Sequence, residues 1–203
     1  LDGVTGVQTC ALPISQDAKV SLLIAAKQFK DAEKVLQDMR KAALDEKNSV
    51  ALGRLVKPYV QIEKQDEALA VCDQMLSIHP DSAQPYLLRA EIYKLQNKAE
   101  EVIKAYYKAI ELQPGNFSTY ETLARVLDAF NRPQAALDVL DRLEKVSQSG
   151  QMVALFERGT MFARWGLRTQ AAENLEKLAQ QDVSANPKLQ YDIARLLAQV
   201  GKK

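Results

Sequence analysis

Residues 77–86 read SIHPDSAQPY and residues 111–120 read ELQPGNFSTY. Each stretch carries a central Pro and closes on Tyr, and Pro80 and Pro114 stand 34 positions apart. Self-similarity at such a period marks a repeat array, so the period is settled before single elements are assigned. Sliding the chain by 34 superposes more than the prolines. Tyr86 falls on Tyr120, and Ala90 on Ala124. Tyr59 falls on Tyr93 and then on Leu127. Ala68, Val102 and Ala136 form one column, and Cys72, Tyr106 and Leu140 form another.

Apolar residues inside each period recur at helical spacing. Tyr86, Ala90, Tyr93 and Leu95 line one segment; Val102, Ile103, Tyr106, Ala109 and Ile110 line the next. Gln96-Asn97-Lys98 between them is a short polar turn. Helix-start signals fall where two helices per period require them. Ser82 can cap the helix that admits Pro85 in its first turn. Asn116 can cap the helix bearing Tyr120, Asn131 or Arg132 precedes Pro133, and Asn186 precedes Pro187. With only 8 Gly and 7 Pro in 203 residues, the composition agrees with an all-α chain. Pro58 falls inside a predicted first helix, where it removes one hydrogen bond and is expected to bend the axis.

A helix–turn–helix of about 34 residues with these columns resembles the tetratricopeptide repeat. The aromatic opening the first helix is Tyr86 or Tyr120. The small residue at the helix contact is Ala90, Ala124 or Gly159. The second aromatic is Tyr59, Tyr93 or Phe162. The small residue opening the second helix is Ala32, Ala68, Ala136 or Ala171, with Val102 departing from it. Leu112-Gln113-Pro114 closes a unit, and Ile78-His79-Pro80 is its variant. The best-matching stretch is 49–150. The resemblance implies an all-α, right-handed superhelical solenoid of about 5.5 repeats: 16–48, 49–82, 83–116, 117–150, 151–186, and a terminal helix 187–200 that is either a cap or the first half of an interrupted repeat.

Residues 4–14, VTGVQTCALPI, resemble the conceptual translation of a short-read sequencing adapter. That resemblance implies that 1–15 is a non-native segment, that the native N-terminus is missing, and that the array is confined to 16–203. The segment does not read as a secretory leader, because polar residues interrupt any apolar core and no basic stretch precedes it.

Stacked helical pairs bury apolar faces that one pair cannot, and a small rotation per repeat curls the stack around a concave groove. In the family this resembles, first helices line that groove, which suits an extended peptide or a partner's helix. The repeat register then places Arg54, Lys57, Gln84, Leu87, Glu91, Lys94, Glu121, Arg125, Asp128, Phe156 and Thr160 as partner-binding residues. Lys57, Glu91 and Arg125 are 34-residue equivalents of alternating sign, as are Lys94 and Asp128. They form either a mixed-charge peptide groove or ion pairs with one another. Phe156 faces the groove, or the core if the register there is displaced by one. Some members of the family grip acidic chaperone tails through a two-carboxylate clamp of Lys, Asn and Arg. Gly53, Leu88, Ser118 and Thr122 stand in the corresponding places, so chaperone docking of that type is not expected.

The 27 basic and 26 acidic residues leave a net charge of +1, which gives no electrostatic footprint for nucleic acid. No apolar run approaches the ~20 residues that cross a bilayer, so no membrane insertion is expected. His79, the single histidine, sits in an inter-repeat turn and reads as a surface residue. Cys72 shares an inward column and reads as a buried structural thiol. No Gly-rich phosphate loop and no metal-ligand spacing occurs, so no catalytic, cofactor or metal residue is expected. Trp165, before Gly166, is expected to cover a hairpin end. The function predicted is a non-catalytic adaptor or assembly scaffold that binds a protein or peptide. The alternative is a docking or regulatory arm of a larger enzyme. A cytoplasmic and a bacterial periplasmic or envelope location are both compatible.

Overall fold

The computed structural model describes residues 15–184 and 186–201. The adapter-like segment 4–14, with its Cys10, lies outside the described residues, as do Lys202 and Lys203. Eleven helices occupy the described residues: α1 (Gln16–Ala25), α2 (Phe29–Asp45), α3 (Ser49–Gln61), α4 (Gln65–Ile78), α5 (Gln84–Leu95), α6 (Ala99–Leu112), α7 (Phe117–Ala129), α8 (Pro133–Glu144), α9 (Gln148–Arg164), α10 (Arg168–Ala179) and α11 (Pro187–Gln199). They make five helix–turn–helix pairs followed by one helix.

The turn inside each pair is built the same way. Lys27, Glu63, Asn97, Asn131 and Gly166 each take positive φ, between 55° and 76°. The amide after each one bonds back to a carbonyl five residues earlier: Gln28 to Leu23, Lys64 to Tyr59, Lys98 to Tyr93, Arg132 to Leu127, Leu167 to Phe162. This is the left-handed helix stop that satisfies the otherwise orphaned last carbonyls. The same linker residue then starts the second helix. Its carbonyl accepts from the amide four positions on, at Ala32, Ala68, Val102, Ala136 and Ala171. These five residues are the column of small openers, and every one is fully buried. A single three-residue linker thus closes one helix and opens the next, so the second helices form without a side-chain cap.

First helices are opened by side chains in several places. Asn48 Oδ1 accepts from Ala51 N at 3.0 Å, Ser147 Oγ from Gly150 N at 3.1 Å, and Asn186 Oδ1 from Leu189 N at 3.0 Å. Such caps are worth about 1 kcal/mol each. Ser15 does the same for α1, accepting from Ala18 N. Two expected caps are corrected. Asn116 holds the cap position of α7, but its side chain makes no capping bond; its carbonyl accepts from Thr119 N instead. Helix α5 starts at Gln84 with the Ala83 carbonyl accepting from Leu87 N, one residue beyond Ser82. Pro58 lies within a continuous α3.

The residues pack as two compact units, one up to Ile92 and one from Tyr93. In the first unit, Leu36, Leu52, Leu55, Tyr59, Cys72 and Ile92 belong to one buried cluster with Val20 at its α1 end. In the second, Leu155, Leu175, Leu178, Ile193 and Leu196 tie α9, α10 and α11 together. Full burial of side chains of this size is worth roughly 1.5–3 kcal/mol each, so stacking rather than intrinsic helicity holds the pairs.

Glycine decides two contacts in the second unit. A Cβ at Gly159 would stand 2.7 Å from Leu175 Cγ, so α9 and α10 touch through the missing side chain. A Cβ at Gly150 would stand 2.6 Å from the Leu143 carbonyl oxygen, which lets the end of α8 run against the start of α9. With Ser147 as its cap, the fifth pair opens at Gln148, three residues earlier than the repeat count places it.

Candidate functional site

Helix α7 turns Glu121 and Arg125 to one side, one helical turn apart, because Tyr120, Leu123, Ala124 and Leu127 are held in the core. Helix α9 brings Met152, Val153, Phe156 and Glu157 opposite them, and the start of α11 adds Asn186 and Leu189. Together with Ser149 these residues line a cleft of about 440 Å³. Three of the sequence-predicted residues, Glu121, Arg125 and Phe156, are therefore brought together. Phe156 is half-buried, packs against the α9–α11 cluster, and forms part of the cleft wall.

The charged centre of the cleft contains a residue that sequence reasoning missed. Glu157 is 4% exposed, and Arg125 reaches it with two donors, Nε to Oε2 at 3.1 Å and Nη2 to Oε1. Two parallel bonds from a planar guanidinium fix geometry as well as charge. Arg125 is thus an internally paired side chain rather than a free groove cation. Its guanidinium is held further toward the protonated form by that hydrogen bond to Glu157. Glu121 stands 3.8 Å from Arg125 Nη2, beyond hydrogen-bond distance. Burial pushes the Glu121 carboxyl above its ordinary range, the Glu157 charge pushes the same way, and Arg125 opposes both.

The other predicted residues are distributed as follows. Asp128 takes Arg164 as an ion pair at 3.0 Å and accepts from Trp165 Nε1 at 2.8 Å. Trp165 ends α9, stacks edge-on against Phe162 at 5.6 Å, and through Asp128 joins the end of α9 to α7. Thr160 turns its hydroxyl to the Phe156 carbonyl at 2.9 Å. Lys94 is half-buried on α5. In the first unit, Arg54 and Gln84 border a cavity of about 790 Å³ with Val50, Gly53, Met75 and His79. Lys57 and Glu91 are exposed on α3 and α5, and Leu87 is half-buried. Eleven predicted residues thus fall into two clefts and a remainder.

The side chains considered for other chemistry have structural surroundings. Cys72 is fully buried, and desolvation pushes its thiol up to about 11, with the Arg89 charge opposing. His79 caps α4 and is exposed. Among the described residues, no group of three or more His, Cys, Asp or Glu side chains converges as a metal site, and no helix is long and apolar enough to cross a membrane.

No family profile matches the chain. Sperm-associated antigen 1 of Mus musculus is 27% identical over 78 residues, which is 38% of this chain and 9% of that protein. The match therefore spans a small part of the relative's length. Solved structures align over much more. A tetratricopeptide repeat protein from Parabacteroides merdae aligns with 92% of this chain and 73% of its own, at a TM-score of 0.58 and 19% identity. MamA aligns with 81% of this chain and 92% of its own, at 0.56 and 21%. YrrB, a tetratricopeptide protein with an unusual peptide-binding site, aligns with 78% and 81%, at 0.50 and 21%. These likenesses establish the fold: an all-α array of tetratricopeptide-type helical hairpins.

Proposed function

We propose that the chain is a non-catalytic interaction module, an adaptor or assembly scaffold, and that the cleft between α7, α9 and α11 receives a segment of its protein partner. The observation that carries this reading is the composition of the cleft. Its walls are apolar at Met152, Val153, Phe156 and Leu189, while its polar groups gather at Glu121, Arg125 and Glu157. An apolar wall with a few convergent polar groups is the usual make-up of a recognition site. Three successive first helices contribute, so a bound chain would cross α7, α9 and α11 in turn. The peptide-binding site of YrrB on the same fold supports the reading by analogy. The cleft in the first unit has fewer apolar groups, chiefly Val50 and Met75, and is the weaker candidate.

Panning the whole chain against a displayed random peptide library tests the proposal. A Ser149→Trp variant serves as the blocked control, because Ser149 is exposed at the cleft and outside the core. Peptides enriched on the unaltered chain should lose binding on the blocked one. Enrichment that Ser149→Trp leaves unchanged places recognition elsewhere and overturns the proposal for this cleft.

A further inference from the structure

The charges inside the cleft do not balance. Two carboxylates, Glu121 and Glu157, face one guanidinium, Arg125. The bidentate contact commits Arg125 to Glu157. Glu121 keeps only the ion pair of 3.8 Å and accepts no hydrogen bond among the described residues. Its side chain is 28% exposed, so it is partly removed from water yet reachable from the cleft. A half-buried carboxylate with a weak partner is a group that a ligand cation can satisfy, whereas an incoming carboxylate would add like charge.

We propose that the occupant of the α7–α9–α11 cleft is a cationic, partly apolar peptide segment, whose Lys or Arg pairs with Glu121 while a neighbouring bulky side chain packs on Phe156 and Leu189. The proposal rests on the reading of this cleft as a peptide site and adds the chemistry of the partner. Arg fits better than Lys, since Glu121 has both oxygens available for a planar fork. Along an extended peptide, side chains two residues apart lie on one face, about 7 Å from each other. The recognisable pattern is therefore a basic residue two positions from a large apolar one. This preference is opposite in sign to capture of an acidic tail.

The test uses peptides enriched from the display library, labelled and titrated against the whole chain by fluorescence anisotropy. Enriched sequences should carry Lys or Arg two positions from a large apolar residue. Replacing that basic residue by Glu should weaken binding about tenfold or more, and Glu121→Lys should do the same. Glu121→Lys combined with the basic-to-Glu peptide should recover part of the loss, which a merely misfolded variant would not do. Circular dichroism of Glu121→Lys checks that the variant is folded. Peptides that bind, lose binding with Ser149→Trp, and yet are acidic or indifferent to Glu121→Lys overturn the cationic preference while leaving the cleft as a peptide site. Failure of any peptide to bind overturns both.

Discussion

Removing the guanidinium at Arg125 tests whether the cleft is organised as described. In Arg125→Met the aliphatic stem stays and the fork is lost. Glu157, with its side chain 5% exposed, is left without its bidentate partner. Taking one partner from a fully buried ion pair costs about 3–5 kcal/mol, and from an exposed pair less than about 1 kcal/mol. This pair lies between those limits, because the Arg125 side chain is 56% exposed while Glu157 is enclosed. Water can enter the cleft of about 440 Å³ and partly replace the lost donors. We therefore expect a loss of about 2 kcal/mol, which for a chain of this length lowers the melting temperature by about 6 °C. Thermal and urea melts followed by circular dichroism at 222 nm would measure it. Arg125→Lys should fall between, since it keeps the charge without the fork. The double change Arg125→Met with Glu157→Leu should return to within about 1 kcal/mol of the unaltered chain, because no enclosed charge is left at 157 and Glu121, which is partly exposed, loses only its ion pair of 3.8 Å. If Arg125→Met loses less than about 0.5 kcal/mol and the double change is worse than the single one, Glu157 is not the buried carboxylate described and the charge argument fails.

Other consequences are independent of that pair. Gly159→Ala should destabilise by about 1–3 kcal/mol, because the added Cβ meets Leu175 Cγ at 2.7 Å; a neutral result in urea melts would refute the α9–α10 contact. Glu63→Gly should be neutral or stabilise by up to about 1 kcal/mol, since residue 63 sits at φ 63°, whereas Gly166→Ala should destabilise by a similar amount. Burial and Glu157 hold the Glu121 carboxyl above its ordinary range, so its contribution to stability is intact below the unfolded pKa and is lost as pH rises through the folded one. Glu121→Gln should therefore melt higher than the unaltered chain at pH 7, with the difference shrinking as pH falls through the raised folded pKa and gone below the unfolded value of about 4.3. In a Cys10→Ser background, Cys72 should resist a thiol reagent at pH 8 until the chain unfolds, as its thiol is buried and pushed up to about 11.

The fold was legible because each repeat column has a mechanical cause. Ala32, Ala68, Val102, Ala136 and Ala171 recur because the residue four after the turn must donate its amide to the linker and fit under the neighbouring helix. Cys72, Tyr106 and Leu140 recur because the next turn points into the same core. A column constrained by burial survives large changes of side chain, which is why Val102 could stand among alanines. The cleft between α7, α9 and α11 was legible only in part. Glu121 and Arg125 follow from the packing positions that flank them on α7. Glu157 did not, because the 34-residue period directs attention from Arg125 to Glu91, and the partner lies 32 positions on. Helix α9 starts three residues early and runs for 17 residues, so the strict period breaks there. One signal was present: Glu157 directly follows the apolar run MVALF. Asp128 shows the same limit. Periodicity relates it to Lys94 and gives no hint of Arg164 and Trp165, which the C-terminal end of α9 brings to it.

Mapping a bound peptide by ¹H–¹⁵N chemical-shift perturbation tests the central claim most directly. The uniformly labelled whole chain would be titrated with the tightest peptide from the library. Shifts should concentrate at Glu121, Arg125, Val153, Phe156 and Leu189, with second-helix residues such as Asp138 and Glu173 unmoved. Shifts centred on the second helices or on the first unit, with these five residues unmoved, would contradict that claim.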